Sequence, residues 1–279
     1  MIEHPYLQQL GEAFGRSGSV LCFGMDPVVD RMKIDTSRNL GDEIVRYFSI
    51  ILGAISNRIS AVKPNAAYYL QYGSEGLQAL SKLAQAAKKL DLPVIIDLKA
   101  GDIGRTSTAY ARFVFEVIGG DAVTLNPYMG FDAIEPFTGY KDRGFYILAL
   151  TSNPGSRDFQ FSGLDSGMPL YERVLGTIGS WAVQHPGVGA VVGATQRDFS
   201  TCIERVLQNG QSLPLLIPGV GAQGGSYSEI MRILKEKGYE HGYVRINASS
   251  SISYAHERFT EVGFDEAAGL AVDELTGSP

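Results

Sequence analysis

Short apolar runs bounded by turn residues recur along this chain, and between them the apolar residues take up helical spacing. Read as strands, the runs are Ser19–Asp26, Ile59–Pro64, Pro93–Leu98, Asp121–Asn126, Phe145–Thr151, Val188–Gly193, Leu213–Pro218 and Gly242–Asn247. The helical segments between them are Leu40–Arg58, Glu75–Leu90, Thr106–Ile118, Asp132–Phe137, Pro169–Gln184, Arg197–Leu207 and Tyr227–Lys237, and Asp265–Leu275 follows the last strand. In the first of these Ile44, Tyr47, Phe48, Ile51, Leu52 and Ile55 fall at i, i+3, i+4, i+7, i+8 and i+11, one face of a helix. Strands that are apolar almost throughout are covered on both faces, as parallel sheets require. Eight strand–helix units in about 250 residues define a closed parallel barrel. The expected fold class is therefore α/β, a single (β/α)8 TIM barrel, with residues 1–279 forming one domain. A doubly wound sheet would show fewer strands and a glycine-rich first turn, whereas Phe23-Gly-Met-Asp-Pro27 contains no GxGxxG.

In such a barrel the chemistry sits at the C-terminal ends of the strands. Those ends carry Asp26, Lys63, Asp97 with Lys99, Asn126, and Thr151 with Ser152. On a strand Asp97 and Lys99 leave the same face, and a turn at Gly101 can return Asp102 to the lysine. A strand-end salt bridge that pins a loop is the plain reading of this stretch. Asp26 and Asn126, each before a proline, are equally explained as turn formers. Lys63 is harder to explain that way, because a lysine ending a buried strand needs a charged partner. Two lysines and three aspartates at one mouth point to a functional site.

After the seventh strand comes Gly219-Val-Gly-Ala-Gln-Gly-Gly225. Glycines let backbone N–H groups approach an anion, and barrels often bind phosphate at the seventh and eighth loops. Asn247-Ala-Ser-Ser-Ser251 would complete that pocket. The expected ligand is a phosphorylated small molecule.

Composition excludes other classes. A net charge of −6 without any lysine or arginine block argues against nucleic acid as a partner. No apolar run reaches the roughly 18 residues of a membrane span, and the start of the chain lacks a signal-peptide core. Cys22 and Cys202 form no metal or disulfide pattern, which suits reduced thiols in a cytoplasmic protein. The four histidines, His4, His185, His241 and His256, lack ligand spacing, so no metal is expected.

The stretch Asp97-Leu-Lys99-Ala-Gly-Asp102-Ile-Gly-Arg-Thr106 resembles the Asp-x-Lys-x-x-Asp-Ile-x-x-Thr signature of the orotidine 5′-phosphate decarboxylase family. Phe23–Pro27, Ala61–Asn65, Asn126–Gly130, Thr151–Gly155, Val192–Thr195 and Ile217–Gly225 are similar to its longer, bacterial-type branch. The resemblance implies decarboxylation of orotidine 5′-monophosphate to uridine 5′-monophosphate, in pyrimidine biosynthesis, with no metal or organic cofactor. It implies that Lys63, Asp97, Lys99 and Asp102 form a charged tetrad. Lys99 would protonate the carbon that loses its carboxylate, Asp97 would lie against that carboxylate, and Lys63 would hold Asp97 and a ribose hydroxyl. Asp102, Ile103 and Thr106 would serve the neighbouring subunit, making a homodimer with shared sites. Asp26 would bind ribose, Ser152 the pyrimidine edge and Gln223 the phosphate. Pro218, Gly221, Ser249 and Ser250 would line the same pocket.

One position departs from the family. Its pattern after strand eight is Asn-x-Ser-Arg-x-Ile, with the arginine on phosphate, and this chain has Ser250 there. Arg245 is about 16 Å upstream along an extended strand, too far to replace it. Arg157 would reach only if the loop after strand five closed over the site. The expectation is an intact tetrad with weakened phosphate binding. Two alternatives are an impaired or pseudo-enzyme nucleotide-binding barrel, and a metal-dependent sugar-phosphate lyase of the same superfamily. The latter resembles a pattern with a metal-binding glutamate where Lys63 stands, and a protonated lysine binds no magnesium.

Overall fold

A computed structural model describes residues 4–163, 167–195, 198–208, 210, 212–221 and 224–277. Its strands are β1 (Leu21–Phe23), β2 (Ala61–Val62), β3 (Ile95–Ala100), β4 (Ala122–Leu125), β5 (Gly144–Leu150), β6 (Val188–Val192), β7 (Leu215–Pro218) and β8 (Val244–Ala248). All neighbours pair in parallel, in the order β2-β1-β8-β7-β6-β5-β4-β3. Parallel bridges Val62↔Val94 and Asn65↔Asp97 bring β2 against β3 and close the ring. The eight-stranded parallel barrel expected from the alternation is the observed fold.

Six of the strands are shorter than their apolar runs, and β3 and β5 match theirs in length. The helices are α1 (Pro5–Ser17), α2 (Leu40–Ile55), α3 (Ala66–Leu70), α4 (Gly73–Lys88), α5 (Gly104–Arg112), α6 (Glu135–Thr138), α7 (Leu170–Gln184), α8 (Phe199–Leu207), α9 (Tyr227–Glu236), α10 (Ser250–Ser253) and α11 (Phe264–Thr276). The segment expected as one helix over Thr106–Ile118 starts earlier and ends in a π-helical turn, Phe113–Ile118. Arg197, expected to begin a helix, lies outside the described residues. Among the described residues no helix is long and apolar enough to cross a membrane. Cys22 and Cys202 are buried free thiols.

Two layers of side chains fill the barrel. The lower layer includes Cys22, Ala61, Ile95, Ala122, Tyr146, Val191 and Leu216, packed in one cluster with Tyr6, Leu7 and Leu10 of α1. Helix α1 was not anticipated, although Tyr6, Leu7, Leu10 and Ala13 have the spacing of a buried helix face. It plugs the N-terminal end of the barrel. The Tyr6 hydroxyl donates to that of Tyr146 at 2.9 Å, and the Tyr6 ring occupies the space a side chain at Gly144 would need.

Arg245, wholly buried, belongs to this plug. Its guanidinium donates to the carbonyls of Ser60 (3.2 Å), Gly242 (3.0 Å), Val244 (2.6 Å) and Leu10 (2.6 Å), joining β8, the entry to β2 and α1. It points away from the mouth, so it does not stand in for the missing arginine. Arg245→Ala leaves a large void beneath these carbonyls and is expected to lower unfolding free energy by about 3–5 kcal/mol, read by urea denaturation. An unchanged midpoint would mean that the plug contributes nothing.

Candidate active site

Two residues further along a strand lies the next side chain on the same face. Above Ala61, Ile95 and Ala122 this places Lys63, Asp97 and Thr124, where the apolar core gives way to charge. Lys63 Nζ is 2.9 Å from Asp97 Oδ2, and both side chains are buried. Lys99 Nζ is 2.6 Å from Asp97 Oδ1, while its side chain is about half exposed. One carboxylate therefore sits between two ammonium groups, one sealed in the wall and one open to the mouth. Burial alone would favour the neutral form of each buried group, but the charges outweigh it. Lys63 and Lys99 hold the Asp97 carboxyl below the usual carboxylate range. Asp97, aided by Asp26, keeps Lys63 above the usual lysine range despite its burial. Cys22, in the layer beneath, is no nucleophile, since burial pushes its thiol up to about 12.

Asp97 and Lys99 meet, but not through plain strand alternation. Lys99 has φ +51°, one of two non-glycine residues with positive φ among those described. The register of β3 with β4 shifts between Ile96 and Ala100, so the strand bulges where the lysine emerges. The Thr124 hydroxyl fills the gap. It accepts from the N–H groups of Leu98 and Lys99, both at 3.0 Å, and donates to Asp97 Oδ1 at 2.8 Å. Sequence reading missed Thr124, whose only signal was a hydroxyl within the apolar run Ala122-Val-Thr-Leu125.

Contacts continue around the rim. Asp26 is no turn former: its Oδ1 accepts from Asn65 N–H (3.0 Å) and its Oδ2 from Ser249 Oγ (2.6 Å). That stitches the ends of β1, β2 and β8 together. Gly24 lies so close to Ser249 that a Cβ there would be 2.6 Å from the serine Cβ. Gly193 likewise lets the Ser152 backbone approach the end of β6, and Ala194 N–H donates to Pro218 O at 2.8 Å. The loop after β7 folds on itself through Gly225 N–H to Gly219 O (3.0 Å) and Gly224 N–H to Gly221 O (2.9 Å), with all of Gly219, Gly221 and Gly224 at positive φ. Gly221 abuts the Ser251 hydroxyl, whose oxygen is buried with no partner among the described residues. Ser250 opens α10 at the same corner. Gln223 lies outside the described residues. Asn126 does form a turn, its Oδ1 accepting from Tyr128 N–H at 3.0 Å.

One possibility read from the sequence is not seen within the single chain. Asp102 does not return to Lys99; its Oδ1 takes the N–H of Ile103 at 2.8 Å, and among the described residues it forms no ion pair. After Gly101 the chain leads through Asp102 and Ile103 into α5, and the Asp102 carboxylate is taken up by the next N–H. Ile103 is 48% exposed and Thr106 is exposed too. Arg157, expected to reach the site only on loop closure, packs its guanidinium 5.7 Å from the Phe161 ring centroid in its own loop.

A parallel eight-stranded barrel with a lysine–aspartate–lysine array at the C-terminal mouth and a glycine-rich loop after β7 has the layout of a phosphate-ligand barrel enzyme. Residues 21–262 match the orotidine 5′-phosphate decarboxylase / HUMPS family, and the chain belongs to it. It is 40% identical over 221 residues to orotidine 5′-phosphate decarboxylase of Thermomicrobium roseum, covering 79% of this chain and 77% of that one. With the same-named protein of Herpetosiphon aurantiacus identity is 39% over 251 residues, 90% of each chain. The solved structure of Leishmania donovani UMP synthase is similar with TM-score 0.80 and 32% identity, covering 99% of this chain but only 56% of that longer one.

Proposed function

We propose that this protein decarboxylates orotidine 5′-monophosphate to uridine 5′-monophosphate without a metal or organic cofactor. The observation that carries the reading is the Lys63–Asp97–Lys99 array, buried on one side and open at Lys99. As the C–C bond breaks, its electron pair stays on the pyrimidine carbon and carbon dioxide leaves. A fixed ammonium beside that carbon stabilises the developing charge and then delivers a proton to it. Lys99 is that donor, and it recovers a proton from solvent. Asp97 sets the lysine and faces the departing carboxylate, while Lys63 neutralises Asp97 from behind. Asp26 binds the ribose and Ser152 the pyrimidine edge.

The reading extends to a cytoplasmic homodimer, each chain one barrel domain. Asp102 forms no ion pair among the described residues, Thr106 is exposed, and Ile103, Tyr110, Tyr128 and Met129 expose apolar surface on the connections after β3 and β4. A second copy seated there would receive Asp102 in its own site. The phosphate is held by loop amides and Gln223 after β7 and by Ser249, Ser250 and Ser251 after β8, with Pro218 and Gly221 lining the same pocket.

Release of carbon dioxide from orotidine 5′-monophosphate by the purified protein tests the reading. A folded protein without turnover overturns it. Ser250 also leaves the phosphate without a charged donor. Ser250→Arg adds one charge-assisted contact and is expected to lower KM by about ten- to a hundredfold with little change in kcat. An unchanged KM would mean that the serine corner already holds the phosphate as well as an arginine does.

A further inference from the structure

We propose that Thr124 is a positioning residue for the decarboxylation: its hydroxyl holds the left-handed Lys99 backbone and the Asp97 carboxylate in one fixed geometry. The inference rests on reading Lys99 as the proton donor. Between the pairs Ile96↔Val123 and Ala100↔Leu125, three residues of β3 stand opposite Thr124 alone. The bulge withdraws the N–H groups of Leu98 and Lys99 from the ladder, and buried N–H groups need partners. Both donate to Thr124 Oγ1, whose own proton goes to Asp97 Oδ1. A hydroxyl has one donor and two acceptor sites, and here all three are used.

This arrangement reaches the reacting group by two routes. A non-glycine residue in the left-handed region is strained, so Lys99 stays there only while its peptide is held. The side chain, half exposed, pairs with Asp97 Oδ1, the same oxygen that Thr124 bonds. Where the Lys99 backbone points and where its ammonium rests are thus both set by one hydroxyl. Thr124 is itself 1% exposed and stands below the charged groups, so it acts through them.

The test compares Thr124→Val, which keeps the β-branched shape without the hydroxyl, with Thr124→Ser, which keeps the hydroxyl. In the full-length protein, Thr124→Val is expected to lose about 10²-fold in kcat, the scale of a misplaced reacting group, with KM for orotidine 5′-monophosphate nearly unchanged. Thr124→Ser should restore most of that loss. If the valine protein does not fold, Thr124→Cys, of similar size but weak as donor and acceptor, should show the same loss. Full activity in Thr124→Val, equal impairment of the serine and valine variants, or a change confined to KM each overturns the proposal. If the unmodified protein has no turnover, the functional reading fails separately, and a crystal structure of Thr124→Val decides this one. Lys99 leaving positive φ supports it, and Lys99 still at positive φ on Asp97 overturns it.

Discussion

Lys99→Met is expected to reduce kcat for decarboxylation by at least about 10⁴-fold, from the combined loss of a positioned proton donor and of fixed charge at the reaction centre. The barrel should remain folded, because the lysine side chain is half exposed and its polar contact is the ion pair with Asp97. Methionine keeps the length and apolar stem while removing the charge and the proton. The loss should appear in kcat and kcat/KM alike, since the interaction strengthens as negative charge develops on carbon. Exogenous amines entering the open mouth should recover a small part of the rate. A variant within tenfold of the original kcat would remove Lys99 from the role of donor.

Asp97→Asn has a different signature, because it strands a buried cation. Lys63 is 4% exposed, and its Nζ is 2.9 Å from the carboxylate being neutralised. Removing one partner of a buried pair costs about 3–5 kcal/mol in stability. Activity should fall by about 10²–10³-fold as well, the scale of losing one preorganised electrostatic contact. The pH dependence separates this from a simple packing defect. In the unmodified protein the Asp97 carboxyl is depressed, so its contribution is present above the unfolded value near pH 4 and is lost as pH falls through the folded one. Lys63 is raised, so its contribution is complete below about pH 10 and is lost only as pH rises through its folded value. The pair therefore stabilises evenly from about pH 5 to 9. In the asparagine variant Lys63 remains buried without its main counter-charge and loses its proton more readily. The stability gap between the two proteins should narrow as pH rises toward about 10, measured by urea denaturation at pH 7 and 9.5. A gap independent of pH would show that the cost is one of packing.

Both results depend on side chains whose position was legible from local pattern. Asp26, Lys63 and Asp97 each follow an apolar run, and a residue at the end of a parallel strand faces the barrel mouth. Which face Lys63 and Asp97 take, two residues above Ala61 and Ile95, emerged only with the closed barrel. The Asp97–Lys99 proximity was expected for the wrong local reason, as the lysine reaches its partner from a bulge at positive φ. Bulges depend on the facing strand, and nothing within Ile95–Ala100 announces one.

By itself the sequence determined the eight strand–helix units, their parallel closure and the set of charged residues that could meet at one end. These follow from short continuous apolar runs and from the 3.6-residue periodicity between them, which each segment carries without reference to the others. Only the tertiary structure decided that Thr124 bridges Asp97 to the Lys99 backbone and that Arg245 locks α1 beneath the barrel. Each of these is a contact between distant segments, fixed by register and by the need to satisfy buried N–H and C=O groups. Such contacts exist only once the ring has closed, which is why the charged array could be anticipated while its support could not.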